Sequence, residues 1–316
     1  MSVLEPISFC AEGSGHFAAI VKLSLDVHPS FIQGYMYAGP KQRVRCHVRR
    51  AKHALRGDVY QLFVERASTP NGGHLVLSAR RRKKSTTPQF VIALSGMHTT
   101  GDDLKKSAST KIIATVVGNR QGTTYRCFMP APMAASMLTI SPGMTLTRAP
   151  VSACPDDPSA SSGVACSHLE VAAVKFKQAG VARVGGVRQF FAIVPDPSPP
   201  PNMVLLPDEA ADLLDLADGQ EDRRHEGVIV AHSVQPVYDE VKKMYVMDFQ
   251  RRVTKGSPKN CQLRALQSKN AGAADSIFLF GKNDKDFYAM DFSYPFSLVQ
   301  AFSVAIACFD TRSFSH

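Results

Sequence analysis

The chain has 316 residues, 44% hydrophobic and 20% charged, a composition that can bury a core and excludes a wholly disordered polypeptide. Its formal net charge of +10 is unevenly placed: Lys41 to Arg126 holds 18 Lys and Arg against 4 Asp and Glu, so the remainder is slightly acidic. Such asymmetry points to an anionic partner, the alternative being a solvated basic face balanced by an acidic one. No stretch reaches the ~18 apolar residues of a membrane span. Met1 to Gly15 carries Glu5 and Glu12 and no basic residue, unlike the start of a secretory leader. The seven cysteines (Cys10, Cys46, Cys127, Cys154, Cys166, Cys261, Cys308) are odd in number and never spaced as CxxC, which points to reduced thiols in the cytosol or nucleus. Cys154 and Cys166 alone are close enough in sequence to meet across a short loop.

Residues 1–40 are rich in small and turn residues and read as a partly irregular extension, with one short alternating run at Val21 to Leu25. From Arg43 the pattern changes. Val44 to Arg49, Tyr60 to Val64 and His74 to Ala79 alternate with the period of strands. Pro70-Asn71-Gly72-Gly73 reads as the turn of a hairpin between the last two. Phe90 to Leu94, Ile112 to Val117 and Thr123 to Phe128 continue in the same style. Residues 130–167 are rich in Pro, Ser, Ala and Met and read as a long mobile loop. Strands resume at Val171 to Phe176 and Gln189 to Val194, followed by the proline-rich connector Pro195 to Pro201. Asp208 to Ala217 reads as an acidic helix closed by Gly219. Further strands are expected at Val228 to Val230, Tyr245 to Phe249, Ile277 to Phe280 and Phe287 to Asp291. Short strands separated by turns point to a sandwich or barrel rather than to βαβ units.

The last element differs in kind. Phe296 to Phe309 has no charge, and its apolar residues cover every side of a helical wheel, so the helix must be buried. Pro295 suits its first turn, and Asp310 lies just beyond its end. At ~1.5 Å per residue the segment falls short of the ~30 Å hydrocarbon core of a bilayer. In a chain otherwise made of strands, a closed barrel is the structure able to enclose it, and closure removes the sheet edges that invite aggregation.

These residues bring a family into view. Phe280-Gly281-Lys282, Asp291, Tyr294-Pro295, Gln300-Ala301-Phe302 and Phe309-Asp310 resemble the closing signature of the tubby-like protein family's C-terminal domain. A second similar block is Pro236-Val237, Tyr245-Val246, Phe249, Arg252-Val253-Thr254, Ser257 and Lys259-Asn260. Glu170 with Ala172-Ala173-Val174, Ile193-Val194-Pro195, Asn119 with Gly122-Thr123, and the run Arg80 to Ser85 match more faintly. The resemblance spans about Arg43 to Arg312. It implies a mainly β fold: a closed antiparallel barrel of about twelve strands around a central hydrophobic C-terminal α-helix, with residues 41–316 as the barrel domain. It also implies a membrane-tethered adaptor, without enzymatic activity or cofactor, that binds phosphatidylinositol 4,5-bisphosphate. Some relatives carry cargo into cilia and some are proposed to act in transcription. The expected location is therefore cytoplasmic and peripheral at the plasma membrane, with the cilium or nucleus as further sites.

The family's phosphate-binding lysine and arginine, two residues apart, fall by this resemblance on Thr115 and Val117. Its amide donor falls on Gln89 and a further arginine on His168. Each lost charge-assisted hydrogen bond is worth about 1.5–3 kcal/mol, so this mode of binding should be weakened. Arg120 and Arg126, close in sequence, and Arg81 and Lys83, which share one face of a strand, are candidates to compensate. With Arg43, Arg45, Arg49 and Arg50, the run Arg80 to Lys84 would form a diffuse basic surface leaving the barrel for solvent.

Other chemistry finds little support. HExxH, GxSxG, Walker and GxGxxG patterns are missing. His47 and His53 sit among arginines, poor company for a metal ligand, and His225 and His232 read as surface or satisfied histidines. Asp208, Asp212 and Asp215 share a helical face and read as a solvated stripe. Tyr60, Phe63, Phe90 and Tyr125 could stack bases beside the basic residues, but strand periodicity sends many of them inward, so nucleic acid is the weaker alternative. A third reading is a protein-interaction scaffold that has lost inositide binding.

Overall fold

The computed structural model describes residues 43–52, 57–66, 69–83, 85–94, 112–130, 168–177, 183–184, 187–196, 213–214, 228–265 and 276–310. The strands in chain order begin with β1 (Arg43–Ala51), β2 (Val59–Arg66), β3 (Thr69–Arg81), β4 (Gln89–Leu94), β5 (Ile112–Gly118), β6 (Thr124–Pro130), β7 (His168–Phe176), β8 (Arg183–Val184) and β9 (Val187–Arg188). They continue with β10 (Phe190–Pro195), β11 (Val228–Ser233), β12 (Val237–Asp239), β13 (Met244–Val246), β14 (Cys261–Ala265), β15 (Phe278–Asp284) and β16 (Phe287–Ser293). Among the described residues the one helix with both ends described, α1, is Leu298–Phe309. Twelve strands close into a barrel in the order β1-β16-β15-β14-β11-β10-β7-β6-β5-β4-β3-β2, and β8–β9 and β12–β13 are separate two-stranded hairpins. All twelve pairings within the barrel are antiparallel.

The expected centre is where the sequence reading put it. Every residue of α1 is buried. Alternate strand residues point at it: Cys46 and Val48, Leu62 and Val64, Leu77 and Ala79, Phe90 and Ile92, Ala172 and Val174 all join the same cluster as Phe302, Val304 and Ile306. The helix that fills so narrow a space is rich in small residues, and Ala301, Ala305 and Ala307 are completely buried. Its polar groups are answered locally. Ser297 caps the N-terminus, its side chain accepting the Gln300 N–H while the Gln300 side chain accepts the Ser297 N–H. The Gln300 amide donates to the Val171 carbonyl at 2.8 Å, tying α1 to β7. Pro295 therefore stands two residues before the cap, not in the first turn, because Ser297 supplies the better start.

Other expectations shift. Pro70 to Gly73 lie inside β3, where the pairing steps from Glu65 opposite Gly73 to Arg66 opposite Thr69, so this glycine-rich run accommodates an irregularity instead of turning the chain. β8, β9, β12 and β14 were missed, and of the strand expected at Tyr245 to Phe249 only its beginning lies in β13. β14 is only Cys261–Ala265, short enough that its alternation is easily passed over, and the barrel needs it to join β11 to β15. Residues 1–40, most of the loop near 130–167, the proline run after Asp196 and most of the acidic helix lie outside the described residues. Of that helix Leu213 and Leu214 are helical, and Leu213 packs with Ala173, Phe191, Ile193, Val228 and Val230 on the outer face of the wall. Cys46, Cys127, Cys261 and Cys308 are buried free thiols. Burial pushes the Cys127 thiol up to about 12. Among the described residues no helix is long and apolar enough to cross a membrane.

Candidate functional site

The end of the barrel at which α1 stops gathers four basic side chains and two aspartates, Asp58 and Asp310, around one cavity. Phe309 and Asp310 close that end from within. Around them lies a cavity of about 400 Å³ lined by Arg50, Tyr60, Arg81, Arg82, Lys83 and Asp310, among others. Three strand ends supply it. β1 ends beside Arg50, β2 begins beside Tyr60, and β3 ends at Arg81. Leu77 and Ala79 face the core, so Arg81, two residues further, also points inward, into the mouth.

Some of this charge is already committed. Arg81 Nη1 lies 3.6 Å from Asp310 Oδ1, and its guanidinium sits 5.8 Å from the Phe90 ring centre. Arg50 pairs with Asp286, its Nε donating at 2.7 Å. Lys259 Nζ donates to the Phe309 carbonyl at 2.9 Å and lies over that residue's ring. A helix C-terminus carries partial negative charge, so Arg81 and Lys259 stabilise the end of α1. Lys83 is exposed, and no described carboxylate forms an ion pair with it. Arg82 adjoins it, its backbone N–H donating to the Gln89 carbonyl at 2.8 Å. The run thus leaves the wall only after Arg81, and its last described members rim the mouth.

Of the positions implied by the resemblance, Gln89 and Val117 lie on the outer wall next to this rim. Gln89 on β4 pairs with Val117 on β5, which pairs with Arg126 on β6, which pairs with Ala173 on β7. Thr115 is opposite Val91 and Phe128, and His168 is opposite Pro130 at the far end of β6. Gln89 and Thr115 are buried, and Val117 and His168 are partly so. The fold therefore brings Gln89 and Val117 together and sets His168 apart from them. Arg126 holds Glu170 with Nε to Oε1 and Nη2 to Oε2, both 2.8 Å. Glu170 is buried and also accepts the Leu213 N–H at 3.1 Å, so Arg126 neutralises a buried carboxylate. Arg120 is exposed in the β5–β6 turn. Asn119 shapes that turn by accepting the Thr123 N–H at 2.8 Å.

The arginines expected as a diffuse surface on β1 are mostly structural. Arg43 donates to the Ser276 carbonyl, and Arg49 stacks over Phe63 at 5.0 Å. His47, which sits among arginines in the sequence, is fully buried between the rings of Phe63 and Phe287, each 4.9 Å away. It faces outward from β1 but the segment carrying Arg252 covers that wall. Arg252 binds Asp291 and Glu65 together. Burial pushes the Asp291 carboxyl up, and Arg252 only partly opposes this. Tyr60, Phe90 and Tyr125 are buried and Phe63 stacks on His47, which removes them as a base-stacking surface. His232 is partly buried against Phe191, and His53, His225 and the three aspartates of the acidic stripe lie outside the described residues. No group of three or more His, Cys, Asp or Glu among the described residues could hold a metal ion. Sequence reasoning missed Tyr60, Asp310 and Lys259 as parts of the mouth. The only signal was that Asp310 directly follows an apolar helix.

The Tub family model matches residues 35–311. Human Tubby-related protein 3 is 26% identical over 288 residues, covering 89% of this chain and 57% of the relative. Tubby-like F-box protein 3 of Arabidopsis thaliana is 24% identical over 302 residues, covering 87% of this chain and 70% of the relative. Human Tubby-related protein 1 is 26% identical over 271 residues, covering 85% of this chain and 43% of the relative. The chain thus spans little more than half, or less, of the two human proteins. A family match over most of the chain, on a closed barrel threaded by its last helix, places this protein in the Tub family.

Proposed function

We propose that this protein is a non-enzymatic adaptor that associates reversibly with anionic phosphoinositide headgroups, phosphatidylinositol 4,5-bisphosphate among them, at the cytoplasmic face of the plasma membrane. The observation that carries the reading is the basic rim of the barrel mouth, where Arg82 and Lys83 stand beside a cavity of about 400 Å³. Adjacent phosphates are best met by several donors held on one rim, and Arg with Lys supplies both forked and point-charge partners. Each basic residue near an anionic leaflet adds roughly 1 kcal/mol. The rim sits next to Gln89 and Val117, so it can take over a ligand whose lysine and arginine partners are absent at Thr115 and Val117.

Vesicle flotation with the headgroup varied tests this. Wild-type protein is expected to float with phosphoinositide vesicles at low salt and to be released as salt rises. The double variant Arg82→Glu, Lys83→Glu is expected to stay in solution with an unchanged melting temperature. Absence of wild-type binding at low salt would remove the reading. It would then favour the second one, a protein-interaction scaffold, which the pairing of Arg126 with Glu170 and the neutral residues at 115 and 117 support.

A further inference from the structure

Six large hydrophobic side chains are exposed among the described residues, and five of them, Val237, Tyr238, Val241, Met244 and Tyr245, lie on the hairpin β12–β13 and its turn. Val241 at the turn is 93% exposed. The turn is built to hold that position. Asp239 Oδ1 accepts the backbone N–H groups of Val241 at 3.0 Å and Lys242 at 2.9 Å, and Lys243 closes the turn with φ 52°. Those two donors are therefore already satisfied and cost less to remove from water. Tyr238 and Tyr245 are direct cross-strand partners with rings 5.1 Å apart, edge to face. A tyrosine has an apolar body and a hydroxyl tip, which suits the boundary between headgroups and acyl chains. Lys242 and Lys243 flank the tip on long stems that can extend to phosphates. They also face the two carboxylates of the hairpin, Lys242 with Asp239 at 3.4 Å and Lys243 with Glu240 at 3.5 Å, so the tip meets an anionic surface without net repulsion.

The hairpin is rooted at the same end of the barrel as the basic mouth. Its connection leaves β11 and returns to β14 there. Its base, Pro236 and Tyr245, shares a second cavity of about 530 Å³ with Lys255, Pro258 and Asn260. Lys259, between the last two, grips Phe309, which lines the mouth. We propose that the β12–β13 hairpin is a membrane-insertion element. Val241, Met244 and the tyrosine pair enter the headgroup–acyl boundary of an anionic bilayer while Arg82 and Lys83 hold headgroups, an inference that rests on the reading above.

The chain contains no tryptophan, so Val241→Trp introduces the sole indole at a site where it disturbs no packing. The full chain is mixed with phosphatidylcholine vesicles containing phosphatidylserine and phosphatidylinositol 4,5-bisphosphate, with and without brominated acyl chains. The expected result is cosedimentation, a blue shift of indole emission and quenching by the brominated lipid. Val241→Asp is expected to weaken vesicle partition about tenfold without moving the melting temperature. Cosedimentation with unshifted, unquenched emission would overturn insertion and leave the headgroup reading standing. Blue shift and quenching on pure phosphatidylcholine, with no added response to the inositide, would support the hairpin and remove the headgroup reading. No cosedimentation with either vesicle would overturn both. A shift that appears without lipid and grows with protein concentration would assign the hairpin to a second copy of the chain and sink the bilayer as occupant.

Discussion

The Arg252 guanidinium grips the Asp291 carboxylate with two hydrogen bonds, Nε to Oδ2 at 2.8 Å and Nη2 to Oδ1 at 2.6 Å, and so pins the segment after β13 across the outside of β16. The same guanidinium reaches Glu65 on β2 and the Cys46 carbonyl on β1, fastening three neighbouring strands from outside. Arg252→Met would leave Asp291 buried and unpaired. Removing one partner of such a pair costs about 3–5 kcal/mol. Urea unfolding should show that loss as a lower midpoint with an unchanged slope. An unchanged midpoint would mean that the clasp is a surface contact.

Glu65 gives this clasp a pH dependence. Burial pushes its carboxyl up, but His47 and Arg252 outweigh burial and hold it below the ordinary value of 4.5. A carboxyl whose folded value is depressed stabilises the fold fully above its unfolded value, and the contribution disappears as pH falls through the folded value. The stability difference between wild type and Glu65→Gln should therefore be largest near neutrality and shrink below pH 4.5. Paired thermal melts across that range measure it, and a pH-independent difference would contradict the assignment.

Gly281 on β15 leaves room for Val253. A Cβ there would stand 2.3 Å from Val253 Cγ2 and 2.7 Å from Cγ1. Gly281→Ala is expected to destabilise by about 1–3 kcal/mol through overpacking. Val253→Ala should relieve the clash, so the double variant should be more stable than the sum of the single losses implies. Additive losses in a double-mutant cycle would show that the contact is not the cause.

Arg126 should matter to stability and not to lipid. Glu170 is buried and takes both oxygens' bonds from Arg126. Arg126→Leu is expected to lower the melting temperature clearly. Vesicle binding by the remaining folded protein should be within about twofold of wild type, since the lost cation faces Glu170. A large loss of binding at unchanged stability would instead make Arg126 a ligand contact.

Thr115→Lys with Val117→Arg should add headgroup affinity. Val117 lies between Gln89 and Arg126 on the outer wall, so a longer charged side chain there reaches solvent beside the rim. One charge-assisted hydrogen bond gained is worth about 1.5–3 kcal/mol, or ten- to a hundredfold in affinity. Isothermal titration with a soluble inositol phosphate gives the number. No gain would place the headgroup elsewhere on the protein.

What the sequence by itself determined was the plan of the fold. An uncharged segment from Phe296 to Phe309 must be surrounded, and alternating strands leave a closed wall as its container. Hydrophobic period is a local property, so it survives in one dimension. The strands that escaped notice, β8, β9, β12 and β14, are two, two, three and five residues long, too short for a period to declare itself. The charged residues were legible as a basic third of the chain, but not their tasks. Arg126, Arg252 and Arg81 each meet a carboxylate 44, 39 or more residues away, at Glu170, Asp291 and Asp310. Spacing cannot reveal such partners, because barrel closure decides which strands become neighbours. The burial of His47 was hidden for the same reason: Phe63 and Phe287 reach it only from adjacent strands. The tertiary structure thus divided one block of positive charge into cations that hold the wall and cations that rim its open end.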